Sequence, residues 1–515
     1  MSSSRRRFLQ GAALGTATLT LPGFLAGCGN KVALATASGD APAPPNPFLT
    51  WFGVDEAMLR QVLAELTGNG ADLADLYFQY RRSNSISMED GIVNQASSSV
   101  DEGVGLRVVV GDQTGYAYTE DLSLPAMLAA ARTARAIARE ASTVIPPQAF
   151  EFLALPDHYA LTVPWAEVGI SRKLPLLESV EAQARAGDPA VKKVRISWND
   201  TEERVLVADH RGHIHTDSRP MTRLWVSITA EKDGQTVSNA SNLAGRQGVD
   251  WYTEESLTRV AAEAVDRTMR LFEATRPPAG EMPVVLAAGA SGILLHEAIG
   301  HGMEADFNRK GTSIYSEMLG KKVAPDFVTI VDSGVEPGER GALNFDDEGN
   351  PVEKTVLVQD GVMRSYLHDN ISAKHYGVQP TGSGRRESFR HSPMPRMRCT
   401  YMENGPHSRD EIIASLERGI IAETFTNGQV QIGAGDYTFY IKNGWLIENG
   451  KVTAPIKDCN IIGNGPETLR NVTMAANDAR LDTGGWTCGK NGQSVPVSQG
   501  LPTVLVSKMT VGGVS

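Results

Sequence analysis

The sequence predicts an α+β fold of two domains, an N-terminal mixed α/β domain and a glycine-rich, mostly β C-terminal domain. Three observations predict it. The first half alternates stretches of helical periodicity with strand-like alternation. Pro277-Pro278-Ala279-Gly280 then interrupts the chain and marks the boundary, placing the domains at 49–276 and 281–515. Glycine supplies 51 of 515 residues, above the usual ~7%, and in the second half it punctuates strand-like runs around one strong helix.

In chain order, Trp51 to Leu66 carries apolar residues at helical spacing and is stopped by Gly68-Asn69-Gly70. Strands are expected at Leu76 to Tyr80, Ser85 to Met88 and Val104 to Val110, with a turn at 111–115 leading into Tyr116-Ala117-Tyr118. Helices are expected at Leu124 to Ala141 and Trp165 to Arg185. Val194 to Trp198, Arg204 to Ala208 and Arg223 to Ile228 then read as an antiparallel meander whose strands are separated by charged turns. Glu254 to Glu273 is amphipathic. Beyond the boundary, a strand at Pro283 to Ala287 and a turn at 289–292 lead into the strong helix, and a shorter helix is expected from Arg409 to Arg418.

A hydrophobic share of 41% and a charged share of 21% are those of a globular protein. The net charge of -11 argues against a nucleic-acid partner, since binding to phosphates rests on lysine and arginine. The first 27 residues read as an export signal. Arg5-Arg6-Arg7-Phe8-Leu9 resembles a twin-arginine motif, and the uncharged stretch from Gly11 to Leu25 is too short and too rich in Gly and Thr to span a bilayer. It ends in Leu25-Ala26-Gly27-Cys28, which resembles a bacterial lipobox with Cys28 as the lipidated first residue; an ordinary cleaved signal is the alternative. Residues 28–48, ending in a run of prolines, read as a tether. The expected location is periplasmic or at the cell envelope, with a lipid anchor. Of the four cysteines, Cys399, Cys459 and Cys488 remain beside a lipidated Cys28. An odd number gives no disulfide framework and leaves at least one thiol for another use, such as a metal ligand.

His296, Glu297 and His301 lie within six residues of an otherwise apolar helix. Buried ionisable groups are costly unless paired or coordinated. Neutral imidazoles bind zinc, and an adjacent carboxylate can take a proton from bound water. The histidines are five apart, not the four of the common zinc helix, and a regular α-helix would rotate them by about 140°. One metal reaches both only if the helix is distorted, and a single π turn would realign them. The sequence therefore predicts a metal-binding helix that is irregular near Gly300, with Gly300 and Gly302 where distortion costs least. Ordinary polar residues at a helix end are the alternative. Glu304 and Asp306 either orient ligands or are solvated acids. His391, close to Arg385, Arg386 and Arg390, either binds a substrate carboxylate or oxyanion or belongs to a structural loop. Asp346-Asp347-Glu348-Gly349 reads as a turn, lacking the alternation of a calcium loop.

The segment from Gly292 to Asp306 closely resembles the signature of the TldD/PmbA family of metallopeptidases. Further blocks resemble the family in order: Asp346-Asp347-Glu348-Gly349, Gly382-Ser383-Gly384-Arg385-Arg386, Arg390 to Met397, and Cys488 to Val497. That family pairs a subunit carrying the His-Glu-x-x-x-His motif with one lacking it, and this chain resembles the motif-bearing kind. The resemblance implies Zn2+ as cofactor, Cys488 as third metal ligand beside His296 and His301, and Glu297 as catalytic general base. It also implies a peptide substrate and a homodimer, or a heterodimer with a motif-lacking relative. The readings from other classes are a metal-dependent amidase on a non-peptide amide and a non-catalytic zinc-containing scaffold lipoprotein. Family members are generally cytosolic, so the export signal sets this chain apart.

Overall fold

The computed structural model describes residues 46–137, 149–153 and 155–513. The expected signal segment, Cys28 and most of the tether lie outside them, as does the end of the helix expected to reach Ala141. No helix of the described residues is long and apolar enough to cross a membrane.

Long strands dominate the first half. Leu73–Glu89, Ile92–Val110, Val191–Asp209 and His213–Lys232 each run for 17 to 20 residues. They form an antiparallel sheet, with Gln113–Thr119 at one edge and Gln235–Gly245 against His213–Lys232. The meander is present, but no charged turn divides its first two strands. Asn199 to Glu203 continues a single strand from Val191 to Asp209, because Asp200 is not solvated. It is buried and accepts bonds from Lys173 Nζ at 2.5 Å and Trp198 Nε1 at 2.8 Å. Likewise, the two strands expected between Leu76 and Met88 are one. The first predicted helix is two, Pro47–Phe52 and Glu56–Leu66, separated at Gly53, which caps the former with φ 64°.

Strand alternation assigns the faces of this sheet. Even-numbered Leu76 and Phe78 meet the helices Glu56–Leu66 and Leu124–Ile137, whereas Ile86 and Met88, on the same face, meet Ile170–Gly187 and Glu254–Glu273. The opposite face presents Tyr77, Val205 and Val207 to Phe345 and Phe389 of the second half.

That second half contains a seven-stranded sheet in which Arg418–Gln431, Gly280–Leu286, Val504–Gly513, Cys459–Asn464 and Asp436–Glu448 are neighbours in that order. Pairing of Arg418–Gln431 with Asp436–Glu448 closes the five into a ring. A six-stranded sheet includes Ile330–Ser333, Cys399–Met402 and Ser498–Leu501. The largest core lies between these sheets, and the segment from Ile293 to Met303 passes through it.

The two halves share a buried charged seam. Arg107 Nη1 donates to Glu348 Oε1 at 2.6 Å and its Nε to Asp75 at 2.7 Å; Arg219 Nη1 reaches Asp347 at 2.6 Å. The Asp346-to-Gly349 segment is indeed a turn, closed by Gly349 N–H donating to Asp346 O at 3.0 Å. Its acids are buried at the seam, and residues 46–515 form one compact unit.

Candidate metal centre

The chain leaves the strand Gly280–Leu286 through Gly289, whose φ is 88°, and turns into Ala290–Gly292. Helical turns then follow one another: α over Ile293–Leu295, π over His296–Gly300, and 3-10 over His301–Met303. His301 N–H bonds to His296 O, so the i→i+5 bond of the π turn joins the two histidines themselves. Such a turn sets residues five apart over one another. The imidazole centroids are 5.1 Å apart at an interplanar angle of 81°.

Gly300 serves this turn differently from the sequence expectation. Its angles, φ −60° and ψ −50°, are ordinary helical ones. What it provides is room, because a Cβ there would lie 2.0 Å from Met397 Sδ. Gly302 similarly lets the ring of Tyr315 approach, to 2.5 Å from where its Cβ would sit.

Cys488 arrives on a separate hairpin, Thr487–Lys490 paired with Gln493–Pro496. Asn491 and Gly492 turn it with φ of 51° and 75°, the Asn-Gly pair suited to a two-residue hairpin loop. Arg396 Nη2 holds the Cys488 carbonyl at 2.6 Å. Cys488 Sγ lies 3.4 Å from His301 Nε2, and the donor atoms of His296, His301 and Cys488 all fall within 4.8 Å of one another. All three residues are buried. Zinc bonds of about 2.1 Å to nitrogen and 2.3 Å to sulfur would set donors about 3.4–3.8 Å apart, the range in which Cys488 Sγ and His301 Nε2 already lie.

Charge in the cluster follows from proximity. Burial disfavours the Cys488 thiolate, but His296 and His301 outweigh it and bring the thiol well below its usual pKa. Burial also opposes charging of His301, yet Glu304 and Cys488 raise it well above the usual imidazole value. A thiolate beside a raised His301 is a donor pair in which a proton stands where a cation would. His296 Nδ1 is buried without a hydrogen-bond partner among the described residues, a state that costs free energy unless the nitrogen is otherwise engaged. Two imidazoles and a thiolate suit zinc.

Glu304 is fully buried and accepts from His301 Nδ1 at 2.9 Å, which directs Nε2 toward the sulfur. Burial raises the Glu304 carboxyl, but Lys490, at 3.0 Å, and His301 bring it down to about 2. Asp306 does not touch the histidines; it receives Lys490 Nζ at 2.7 Å. Glu297 Oε2 lies 4.0 Å from His301 Nε2, and its side chain is partly exposed where the three donors are buried. His391 stands outside the cluster with Nδ1 3.0 Å from Ser388 Oγ, and Arg390 pairs with Asp101 and Glu120. Cys399 and Cys459 are buried free thiols. Sequence reasoning missed Lys490 and Arg396. Lys490 was within reach, because two residues after Cys488 on a strand it shares that residue's face.

Family profiles match three stretches: residues 74–138, described as PmbA/TldA metallopeptidase domain 1, 163–272 as its central domain, and 279–513 as its C-terminal domain. A "Metalloprotease TldD homolog" of Haemophilus influenzae is 40% identical over 474 residues, covering 91% of this chain and 98% of that protein. This chain belongs to the PmbA/TldD metallopeptidase family. A "Zinc metalloprotease TldD homolog" of Saccharolobus solfataricus is 26% identical, covering 86% of this chain and 97% of that one. The crystal structure of TldE from Thermococcus kodakarensis superposes with a TM-score of 0.70 at 17% identity, covering 88% of this chain and 100% of that one; it shares the fold. The first two profiles divide the expected N-terminal domain, yet the long-stranded sheet runs unbroken through both.

Proposed function

We propose that this PmbA/TldD family member is a zinc-dependent peptidase acting on unfolded or flexible peptides. The convergence of His296, His301 and Cys488 beside Glu297 carries the reading, and membership of a metallopeptidase family supports it. His296, His301 and Cys488 would hold the zinc. When bound there, zinc supplies an acidified water and polarises the scissile carbonyl.

The chain's own residues do the rest. Glu297, the partly exposed acid of the motif, takes a proton from the attacking water on its carboxylate and returns it to the leaving amine. Glu304 Oε2 keeps the proton of His301 on Nδ1, so that Nε2 faces the other donors. Lys490 offsets the Glu304 charge that burial would otherwise penalise. An extended substrate pairing with an exposed strand edge would fit the β-rich body. In the same proposal the active form is a dimer, with a second copy or a motif-lacking relative, and Cys28 anchors the exported chain in the cell envelope.

The test uses purified full-length protein with unfolded casein as substrate. Glu297→Gln should retain the metal of the wild type and lose the release of new amines. Equal amine release by the variant would sink the assignment of Glu297. Absence of amine release by the metal-loaded wild type would sink the peptidase reading.

A further inference from the structure

On the other side of the Cys488 hairpin, the seam between the two halves encloses a cavity of about 220 Å³. Six arginines line it, Arg81, Arg219 and Arg246 from the first half and Arg340, Arg385 and Arg386 from the second. Two of them are neutralised. Arg219 pairs with Asp217 and Asp347, and Arg386 with Asp75.

Three others are buried and have no carboxylate in ion-pair contact among the described residues. Arg385, 2% exposed, donates only to the carbonyls of Met397 at 2.6 Å and Pro496 at 2.7 Å. Arg340, 8% exposed, donates to Trp486 O at 3.2 Å. Arg246, 5% exposed, stacks over Tyr159 and donates to Pro220 O at 3.3 Å, while its Nε has no partner among the described residues. Of the lining acids, Asp347 and Glu203 lie against Arg219, whereas Glu387 accepts from Ser494 N–H at 2.6 Å and keeps its charge. Burial together with Arg223, Arg246 and Arg385 depresses Arg340 to about 9, the response expected of crowded cations.

A guanidinium does not shed its charge in a protein, and Arg246, Arg340 and Arg385 outnumber Glu387, the one lining acid outside the Arg219 pairs, so the cavity calls for a further anion from outside. The geometry points to a binding site for an oxyanion, a carboxylate or a phosphate, held by Arg246, Arg340 and Arg385. Their planar forks match either group in bidentate fashion. A water takes about 30 Å³, so the space admits a free phosphate with some waters or an acidic side chain of a peptide. The site is distinct from the metal cluster but built on the same hairpin. Thr487 and the residues Ser494 to Pro496 line it, and Val495 is the cross-strand partner of Cys488.

The test is calorimetric titration of the full-length protein at low salt with inorganic phosphate and, separately, with an acetylated and amidated Asp-Asp dipeptide. Chloride at matched ionic strength is the control. Saturable binding of either ligand, not reproduced by chloride, is expected. Arg340→Gln and, independently, Arg246→Gln should weaken it about tenfold or more and leave the zinc content unchanged. Binding of phosphate alone identifies a free anion as the occupant, and binding of the dipeptide identifies an acidic peptide. Circular dichroism establishes that each variant is folded, and either one suffices. No saturable binding of either ligand, or binding undiminished in a folded variant, overturns the site. Because the readout is binding, the outcome is independent of peptidase activity.

Discussion

Replacing Gly300 with alanine sets one methyl group against the side chain that backs the π turn. The added carbon would sit 2.0 Å from Met397 Sδ, 3.1 Å from its Cε and 3.3 Å from its Cγ. Carbon contacts are comfortable near 3.5–4.0 Å, so Met397 must retreat by about 1.5 Å or the turn must shift. Met397 is fully buried, and its neighbours are held: Arg396 by the Cys488 carbonyl and Arg398 by Asp332 at 2.7 Å. Overpacking of this kind costs about 1–3 kcal/mol. The backbone adds no penalty, since alanine favours the helical angles found here and recovers up to about 1 kcal/mol. A net loss of about 1–2 kcal/mol in denaturant unfolding of the metal-free protein is expected, along with weaker zinc binding measured by chelator competition. Met397→Ala alone should cost about 2–5 kcal/mol. The double variant should cost at least about 1 kcal/mol less than the sum of the two, because each change relieves the other. Strict additivity, or an undiminished stability of Gly300→Ala, would refute the claim that this glycine is there for room.

Three further outcomes follow from the geometry. Glu304→Gln removes the charge facing His301 Nδ1 and should weaken zinc binding by about 10- to 100-fold, read by chelator competition; unchanged affinity would deny Glu304 its orienting role. Arg107→Met leaves Glu348 buried without its cation and Asp75 with Arg386 alone, and should lower stability by about 3–5 kcal/mol in denaturant titration, a loss that would not appear if the seam were solvated. Burial lowers His215 from 6.5 to about 4, so the unfolded chain binds more protons there, and its contribution is complete above pH 6.5 and lost as pH falls toward 4. Within that window the wild type should lose up to about 1.4 kcal/mol per pH unit through this residue. His215→Gln should show a shallower acid slope, and superimposable slopes would remove His215 from the account.

How much of this was legible in the sequence depended on the range of the interactions. The five-residue spacing of His296 and His301 required a distorted helix, and the distortion is local, so it could be reasoned out residue by residue. Cys488 could be placed beside them only through family resemblance, since 187 residues separate it from His301. Asn199 to Glu203 looked like a solvated turn because it is rich in acids, whereas Lys173, the cation that lets Asp200 be buried, comes from a separate helix. The Asp346-to-Gly349 turn was readable from its own residues, but its burial was not. The cation that permits burial of Glu348 is Arg107, 241 residues earlier. His391 shows the same limit in reverse: arginines near it in sequence are committed to distant partners, Arg386 to Asp75 and Arg390 to Asp101. Glycine content announced a turn-rich, β-rich body, but not which glycines supply room and which supply a positive φ.

The central claim is that His296, His301 and Cys488 form one metal site. Zinc content of the purified full-length protein, measured by elemental analysis beside Cys488→Ser and His296→Ala, tests it most directly. One zinc per chain is expected in the wild type and a marked loss in both variants, with the circular dichroism spectrum preserved. A wild type free of zinc after zinc loading, or variants that retain it fully, would contradict the account.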